Sequence, residues 1–505
     1  MNNYSLKIQA LYLFFGKIIA FLVVGIAPII LVRLISVKDF GIYRLILFVI
    51  MLLLPIISFR IPASLYYFYP RNKSDLNVLL SQTLALLLIV SCIGSIFFLI
   101  LSNKFSILPI GVTSEYIFPI AIYLFIETLA QLIDHIFILD KKSKCVLYIT
   151  IVNQVVRLLF IIGTVLFFHT VLAIVFALII HSMLRLTIVM IYLVKKYKVK
   201  IWFYDKKLLW IQIKYIFPLA LATIIWIIGG RFDSMIISKL MSLEDFAVYA
   251  VGGLGIMNAV SMLYTSQGNV CLPRFGELFI QNNLKGIKQL WHKMIVVNAA
   301  FTLPLILFCA TMGDQIISIL YTDTYISASN IWRINMLILL TQMLGYGYIP
   351  TAIGKTKSIL LANTARCALV IPLSIFLVLK LGLIGGAISY VCGFWVESLI
   401  QLETTRKSIG SKMLNLLPFS KILHIFIISA VPLLFLIVLL QMELNNILTV
   451  LIGAVIYFPV VAIVLVFSKT IDIDKFIVLS GRSRIFDFLS YMRTLRHRVE
   501  GKCEK

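Results

Sequence analysis

Acidic residues are scarce in this chain: Asp and Glu number 21 against 45 Lys and Arg, and charged residues of either sign make up only 13% of 505 residues. So little charge cannot solvate the surface of a water-soluble protein of this length. Cysteine lacks pattern as well. Cys92, Cys145, Cys271, Cys309, Cys367, Cys392 and Cys503 are scattered, mostly in apolar runs, with no C-x-x-C. That excludes a disulfide framework and a zinc site. No glycine-rich phosphate loop ending in Lys-Ser or Lys-Thr occurs, which argues against direct use of ATP. No cofactor is expected.

What fills the sequence is apolar: 61% of residues are hydrophobic. Segments of about 20 apolar residues match the thickness of a bilayer core. They fall near 8–32, 42–59, 77–101, 115–138, 146–168, 171–194, 211–237, 247–270, 294–313, 329–350, 358–379, 383–402, 423–441 and 446–468. The fold class is therefore an all-α polytopic membrane protein with about 14 transmembrane helices. The first run is too long for a signal peptide, has no small-residue cleavage site after it, and reads as a retained helix.

The charge of +24 has a membrane explanation. In the loops and at the run ends of one side fall only Arg33, Lys38, Arg44, Lys104, Lys239 and Lys380. The other side, with both termini, holds nearly all the rest. The positive-inside rule then places both termini in the cytoplasm. Lys195, Lys196, Lys198, Lys200, Lys206 and Lys207 form the densest loop, interleaved with Trp202, Phe203 and Tyr204. That composition fits a segment lying on anionic membrane lipid. No nucleic-acid motif accompanies it, and nucleic acid is not an expected partner.

Two segments half a chain apart resemble each other. Arg33-Leu-Ile-Ser-Val-Lys-Asp-Phe-Gly-Ile-Tyr43 aligns with Lys239-Leu-Met-Ser-Leu-Glu-Asp-Phe-Ala-Val-Tyr249, each after a long apolar run. An even number of runs separates the copies, so the halves run in the same sense and are related by an axis along the membrane normal. Pro28 and Pro218 occupy the matching runs one and seven. The expected organisation is an N-terminal six-helix bundle (1–194), a basic linker (195–210) and a C-terminal six-helix bundle (211–405). Two extra helices (423–468) and a basic tail (469–505) follow. Membrane proteins built this way keep the working site between the halves.

Ionisable residues inside apolar runs cost about 2.5–3.5 kcal/mol each on insertion scales and need a partner or a wet cavity. The cationic set is Lys17, Arg157, Arg185, Arg231, Arg333 and Arg366; the anionic set is Glu127, Asp134, Asp233 and Glu397. Glu127, Gln131 and Asp134 follow i, i+4, i+7 and predict one polar stripe on run four. With Arg185 they form either a charge-pair cluster or an ion-coupling site. Asp233 and Glu397 are further candidates for coupling or pairing. Lys17, Arg157, Arg231 and Arg366 are the candidates for a cationic cavity; Lys17, Arg231 and Arg366 have no evident local partner, and Arg333 reads as snorkelling to the interface. Excess guanidinium suits phosphate.

At this point the chain resembles a family. The first repeat motif, Arg231-Phe-Asp233, Leu320-Tyr-Thr-Asp-Thr-Tyr325, Gly354-Lys-Thr-Lys357 and Gly382-Leu-Ile-Gly-Gly-Ala387 resemble, in order and spacing over residues 5–405, the Wzx-type polysaccharide-unit flippases. These belong to the multidrug/oligosaccharidyl-lipid/polysaccharide exporter superfamily. The resemblance implies two six-helix lobes and a bacterial inner-membrane location. It implies transfer of an undecaprenyl-pyrophosphate-linked oligosaccharide, such as an O-antigen unit, from the inner to the outer leaflet. Alternating access, coupled to an ion gradient, would drive it. It also implies as partners the polymerase and chain-length regulator of the same pathway. A drug or cation exporter of the same superfamily competes, but would favour an acidic cavity. A polymerase or ligase also competes, but the outer loops are short and carry no carboxylate or histidine cluster beyond Glu244-Asp245 of the repeat. The expectation is a transporter, not an enzyme.

Overall fold

The computed structural model describes residue 19 and residues 22–69, 75–105, 114–140, 143–200, 204–253, 256–412, 415–442 and 444–468. Lys17 and the basic tail 469–505 lie outside the described residues. Those residues form helices and no strands. Among the described residues, ten helices are long and apolar enough to cross a membrane, and Leu22–Leu34 (α1) is a shorter apolar one. The protein is a multi-pass helical membrane protein, as its hydropathy requires.

The chain groups into two units, one of residues 1–251 and 367–390, the other of 252–366 and 391–505. The first contains α2 (Val37–Ile57), α3 (Ile61–Phe68), α4 (Leu76–Phe105), α5 (Ser114–Ala130), α6 (Leu132–Leu139), α7 (Ser143–Phe168), α8 (Val171–Tyr197), α9 (Lys206–Leu240) and α10 (Leu243–Gly252, whose last residue falls in the second unit). Helix α5 packs on α4 and α8, and α7 packs on α8. Leu65, Leu79, Leu80, Leu132 and Leu193 close an apolar core. Beside it Gln212 Nε2 donates to Ser64 (2.9 Å) and Thr83 (3.0 Å), while its carbonyl accepts from Gln82 (2.9 Å). These buried amides are tolerated in the apolar interior because they satisfy one another.

The two repeat motifs have the same local job. Ser36 caps α2, accepting the Asp39 N–H at 3.1 Å while its hydroxyl donates to the Asp39 carboxylate at 2.6 Å. Ser242 caps α10 in the same way, at 3.0 and 2.9 Å, and its own N–H donates back to Asp245 at 3.3 Å. The shared Ser-x-x-Asp is a capping box, which restarts a helix directly after the preceding one ends. The copies also touch: a Cβ on Gly41 would lie 2.2 Å from the Leu243 carbonyl oxygen, so α2 needs glycine there. The second copy has Ala247 at the matching place, itself fully buried.

The second unit contains α11 (Ile256–Ile280), α12 (Leu284–Thr311), α13 (Gly313–Tyr321), α14 (Ala328–Gln342), α15 (Tyr348–Ala352), α17 (Phe419–Ala430), α18 (Leu433–Leu440) and α19 (Asn446–Phe467). Helix α12 packs against α14 and α17, and Tyr457 on α19 donates to the Ser429 carbonyl at 2.9 Å. The run expected at 329–350 is broken: α14 ends and Gly345 takes a positive φ of 58°. The carbonyls freed there are caught by α12. Trp291 Nε1 donates to Leu344 O at 2.8 Å and Asn298 Nδ2 to Met343 O at 3.0 Å, which supplies partners for two of the freed carbonyls.

A long helical stretch, α16 (Thr356–Ile409), contains one non-helical residue, Gly382, at φ 59° and ψ −134°. It therefore divides where runs eleven and twelve were expected to part. The two arms fold back tightly: a Cβ on Gly385 would lie 2.0 Å from Leu377 O, and the Ser374 and Ser389 hydroxyls are 2.8 Å apart. The Gly382-Leu-Ile-Gly-Gly sequence is thus a hairpin device. Gly382→Ala places a side chain in backbone space that only glycine adopts readily, at a cost of about 1–3 kcal/mol. The expected outcome is less folded protein and a lower unfolding temperature in detergent; an unchanged melting curve would contradict it.

Candidate functional site

In the first unit, charge gathers on α5, α6, α7 and α8. The stripe expected along one continuous helix is interrupted at Gln131, where α5 passes into α6. Arg185 of α8 nonetheless reaches both carboxylates. One guanidinium nitrogen donates to Glu127 and another to Asp134 at 2.9 Å. Ser182 donates to the second Glu127 oxygen at 2.6 Å, and His181 Nε2 lies 3.1 Å from the Asn153 carbonyl of α7. Glu127 and Arg185 are nearly sealed, whereas the Asp134 side chain is 54% exposed. Of the three charged groups, Asp134 is thus the one with substantial open surface.

Arg157 on α7 is half-buried and, among the described residues, has no hydrogen-bond or ion-pair partner. Arg231 on α9 is in the same condition. Its near neighbour Asp233 does not neutralise it by contact, because residues at i and i+2 leave a helix on different sides. Asp233 is buried, and one of its oxygens accepts from Tyr249 at 2.6 Å and Ser234 at 3.0 Å. Its other oxygen has no hydrogen-bond partner among the described residues.

In the second unit, Arg366 and Glu397 lie on the two arms of α16. Arg366 donates to Glu397 at 2.9 Å and its guanidinium sits 3.8 Å over the Phe394 ring; Gln401 donates to the other carboxylate oxygen at 3.3 Å. The pair is nearly inaccessible, with the arginine side chain 4% exposed. The expectation that Arg366 lacks a local partner is corrected: the hairpin brings Glu397 to it. Arg333 also does more than snorkel. It pairs with Asp314 at 3.0 Å and donates to the Ala310 carbonyl at 2.9 Å, tying α14 to α13 and to the end of α12.

One polar hub had no counterpart in the sequence reading. Asp140, after α6, accepts from Tyr69 at 2.8 Å and from Tyr192, Tyr197 and Lys196. The Asp-Lys-Lys-Ser-Lys segment reads simply as a basic loop, and nothing local marks its aspartate as a collector of phenols.

This architecture defines a class. The structure resembles the lipid II flippase MurJ in an inward closed conformation, with a TM-score of 0.69 at 16% identity over 89% of this chain and 98% of that one. It resembles an inward-facing multidrug resistance MATE family transporter of the MOP superfamily, with a TM-score of 0.58 at 17% identity over 80% and 94%. A MOP superfamily transporter from Pyrococcus furiosus gives 0.54 at 13% identity over 80% and 95%. The fold is that of polytopic MOP superfamily transporters. The polysaccharide biosynthesis protein family matches residues 30–330, and the chain belongs to that family. An uncharacterized membrane protein of Methanocaldococcus jannaschii is 24% identical over 250 residues, 49% of this chain. The alignment spans about half the length of that relative, 48%. The protein is thus a multi-pass helical membrane protein of the polysaccharide biosynthesis family.

Proposed function

We propose that this protein moves a polyprenyl-pyrophosphate-linked oligosaccharide from the inner to the outer leaflet of a bacterial plasma membrane by alternating access. The observation that carries the reading is the pair of guanidiniums, Arg157 and Arg231, which among the described residues have no hydrogen-bond or ion-pair partner inside membrane helices of a polysaccharide biosynthesis family protein. A guanidinium persists in that setting when its missing partner is supplied by something else, and the diphosphate of a lipid-linked glycan offers the matching planar array of oxygens. Lys17 joins them in this proposal. Arg366 is assigned instead to the α16 hairpin, since Glu397 already balances it. Asp233 and the exposed side of Asp134 are the carboxylates available to bind a coupling proton or cation. The basic bias of the loops supports a cytoplasmic position for both termini.

The test is the fate of the lipid-linked unit in a cell lacking the protein. Surface glycan is expected to vanish while the intermediate accumulates on the cytoplasmic leaflet. Single units that reach the outer leaflet and stay unpolymerised would instead make the protein part of the polymerising step.

A further inference from the structure

The basic end of α8 carries a hollow beside the Asp140 hub. It has a volume of about 470 Å3 and is lined by Ile188, Ile191, Tyr192, Lys195 and Lys196. Residues 188, 191, 192 and 195 follow i, i+3, i+4, i+7 and share one side of the helix. The same side continues toward the helix centre through Leu184 and Ile180. Ile180, Leu184, Ile188 and Ile191 are each about half exposed. From residue 180 to 195 a helix rises about 22 Å, more than the roughly 15 Å of hydrocarbon in one leaflet. An apolar track therefore runs up to two lysines at the depth of the headgroups.

The lysines are not equivalent. Lys196 donates to Asp140 and, at 3.1 Å, to the Tyr192 hydroxyl, and its ammonium lies 4.7 Å from the Tyr197 ring centroid. An ammonium has three N–H donors, so one is left for a ligand. Burial alone would raise the Asp140 carboxyl, but hydrogen bonds from Lys196, Tyr192, Tyr197 and Tyr69 outweigh it and hold the group at about 2. The carboxylate is therefore ionised at neutral pH and balances Lys196. Lys195 is exposed and, among the described residues, has no ion-pair or hydrogen-bond partner. The hollow thus offers one uncompensated positive charge, a second ammonium held in place by a buried carboxylate, and an apolar track beneath.

We propose that this hollow binds one anionic phospholipid, its phosphate between Lys195 and Lys196 and an acyl chain along Ile191, Ile188, Leu184 and Ile180. One uncompensated charge matches the single charge of a phosphodiester. A diphosphate, with two or more charges, would be left unbalanced, so the site is distinct from that of the transported lipid and does not rest on the transport reading. The Asp140 hub acts here as a positioning group that fixes where Lys196 presents its remaining donor.

The experiment uses the full chain, purified and delipidated in a neutral detergent. Phosphatidylglycerol, phosphatidylcholine and soluble glycerol phosphate are titrated separately, with thermal unfolding and native mass spectrometry as readouts. Phosphatidylglycerol is expected to raise the unfolding temperature and remain bound as a single copy, with little effect from the other two. Lys195→Gln is expected to weaken retention about fivefold, the equivalent of about 1 kcal/mol per surface lysine. Lys285→Gln, an exposed lysine at the start of α12 in the other unit, should leave retention unchanged. Lys196→Gln also disturbs Asp140 and can lower folding, so Lys195 decides. Equal stabilisation by phosphatidylcholine, equal binding of glycerol phosphate, or unchanged retention in Lys195→Gln would each overturn the proposal.

Discussion

Arg231→Ala and Arg157→Ala are each expected to abolish glycan export while leaving the protein in the membrane at its normal level. Neither side chain has a hydrogen-bond or ion-pair partner among the described residues, so removing it breaks no direct pair. Fold and insertion should therefore survive, and the loss should fall on substrate. A hydrogen bond to a charged group is worth about 1.5–3 kcal/mol, which corresponds to roughly 10–150-fold in binding for each one lost. Arg231→Lys should fall between wild type and alanine, because an ammonium keeps the charge and loses the bidentate fork. Surface glycan, leaflet-resolved lipid-linked oligosaccharide and membrane protein level, measured together, decide the matter. Normal export from both alanine variants would remove the guanidiniums from the mechanism.

The opposite pattern is expected at Arg366. Arg366→Ala leaves Glu397 buried without its cation, a change that costs about 3–5 kcal/mol when one partner of a sealed pair is removed. The cation–π contact with Phe394 is lost as well. Folded protein and unfolding temperature should drop together, and export should fall only in proportion. Arg366→Met combined with Glu397→Leu removes both charges and should recover most of the lost stability, since a well-packed apolar pair substitutes for a buried ion pair at little cost. If the single variant melts like wild type, or if the double variant is worse than the single, the pair is not what joins the arms of α16. The contrast with Arg231 is the useful part: one arginine is tested by export at constant fold, the other by fold itself.

Much of the architecture could be read in advance because hydropathy and capping are local. Where the described residues cover them, the apolar runs are largely helical. The breaks at Gly382 and Gly345 fall at glycines, the residues that accept those backbone angles. The repeated Ser-x-x-Asp was visible as a likeness, although its meaning as a capping box needed the hydrogen bonds of Ser36 and Ser242. The interruption at Gln131 was not legible. A stripe at i, i+4, i+7 looks the same whether or not the helix beneath it is broken, and Arg185 spans the break.

Sequence alone determined that this protein lives in a bilayer and roughly where its apolar helices fall. Each follows from composition over a window of some 20 residues and from the thickness of the membrane. Only the tertiary structure decided which intramembrane charges are already neutralised. Glu127 meets Arg185 across 58 residues and Arg366 meets Glu397 across 31. Such pairs depend on which helices pack together and how each is rotated about its axis. A difference of one residue turns a side chain by about 100°, and no local pattern in the chain carries that angle.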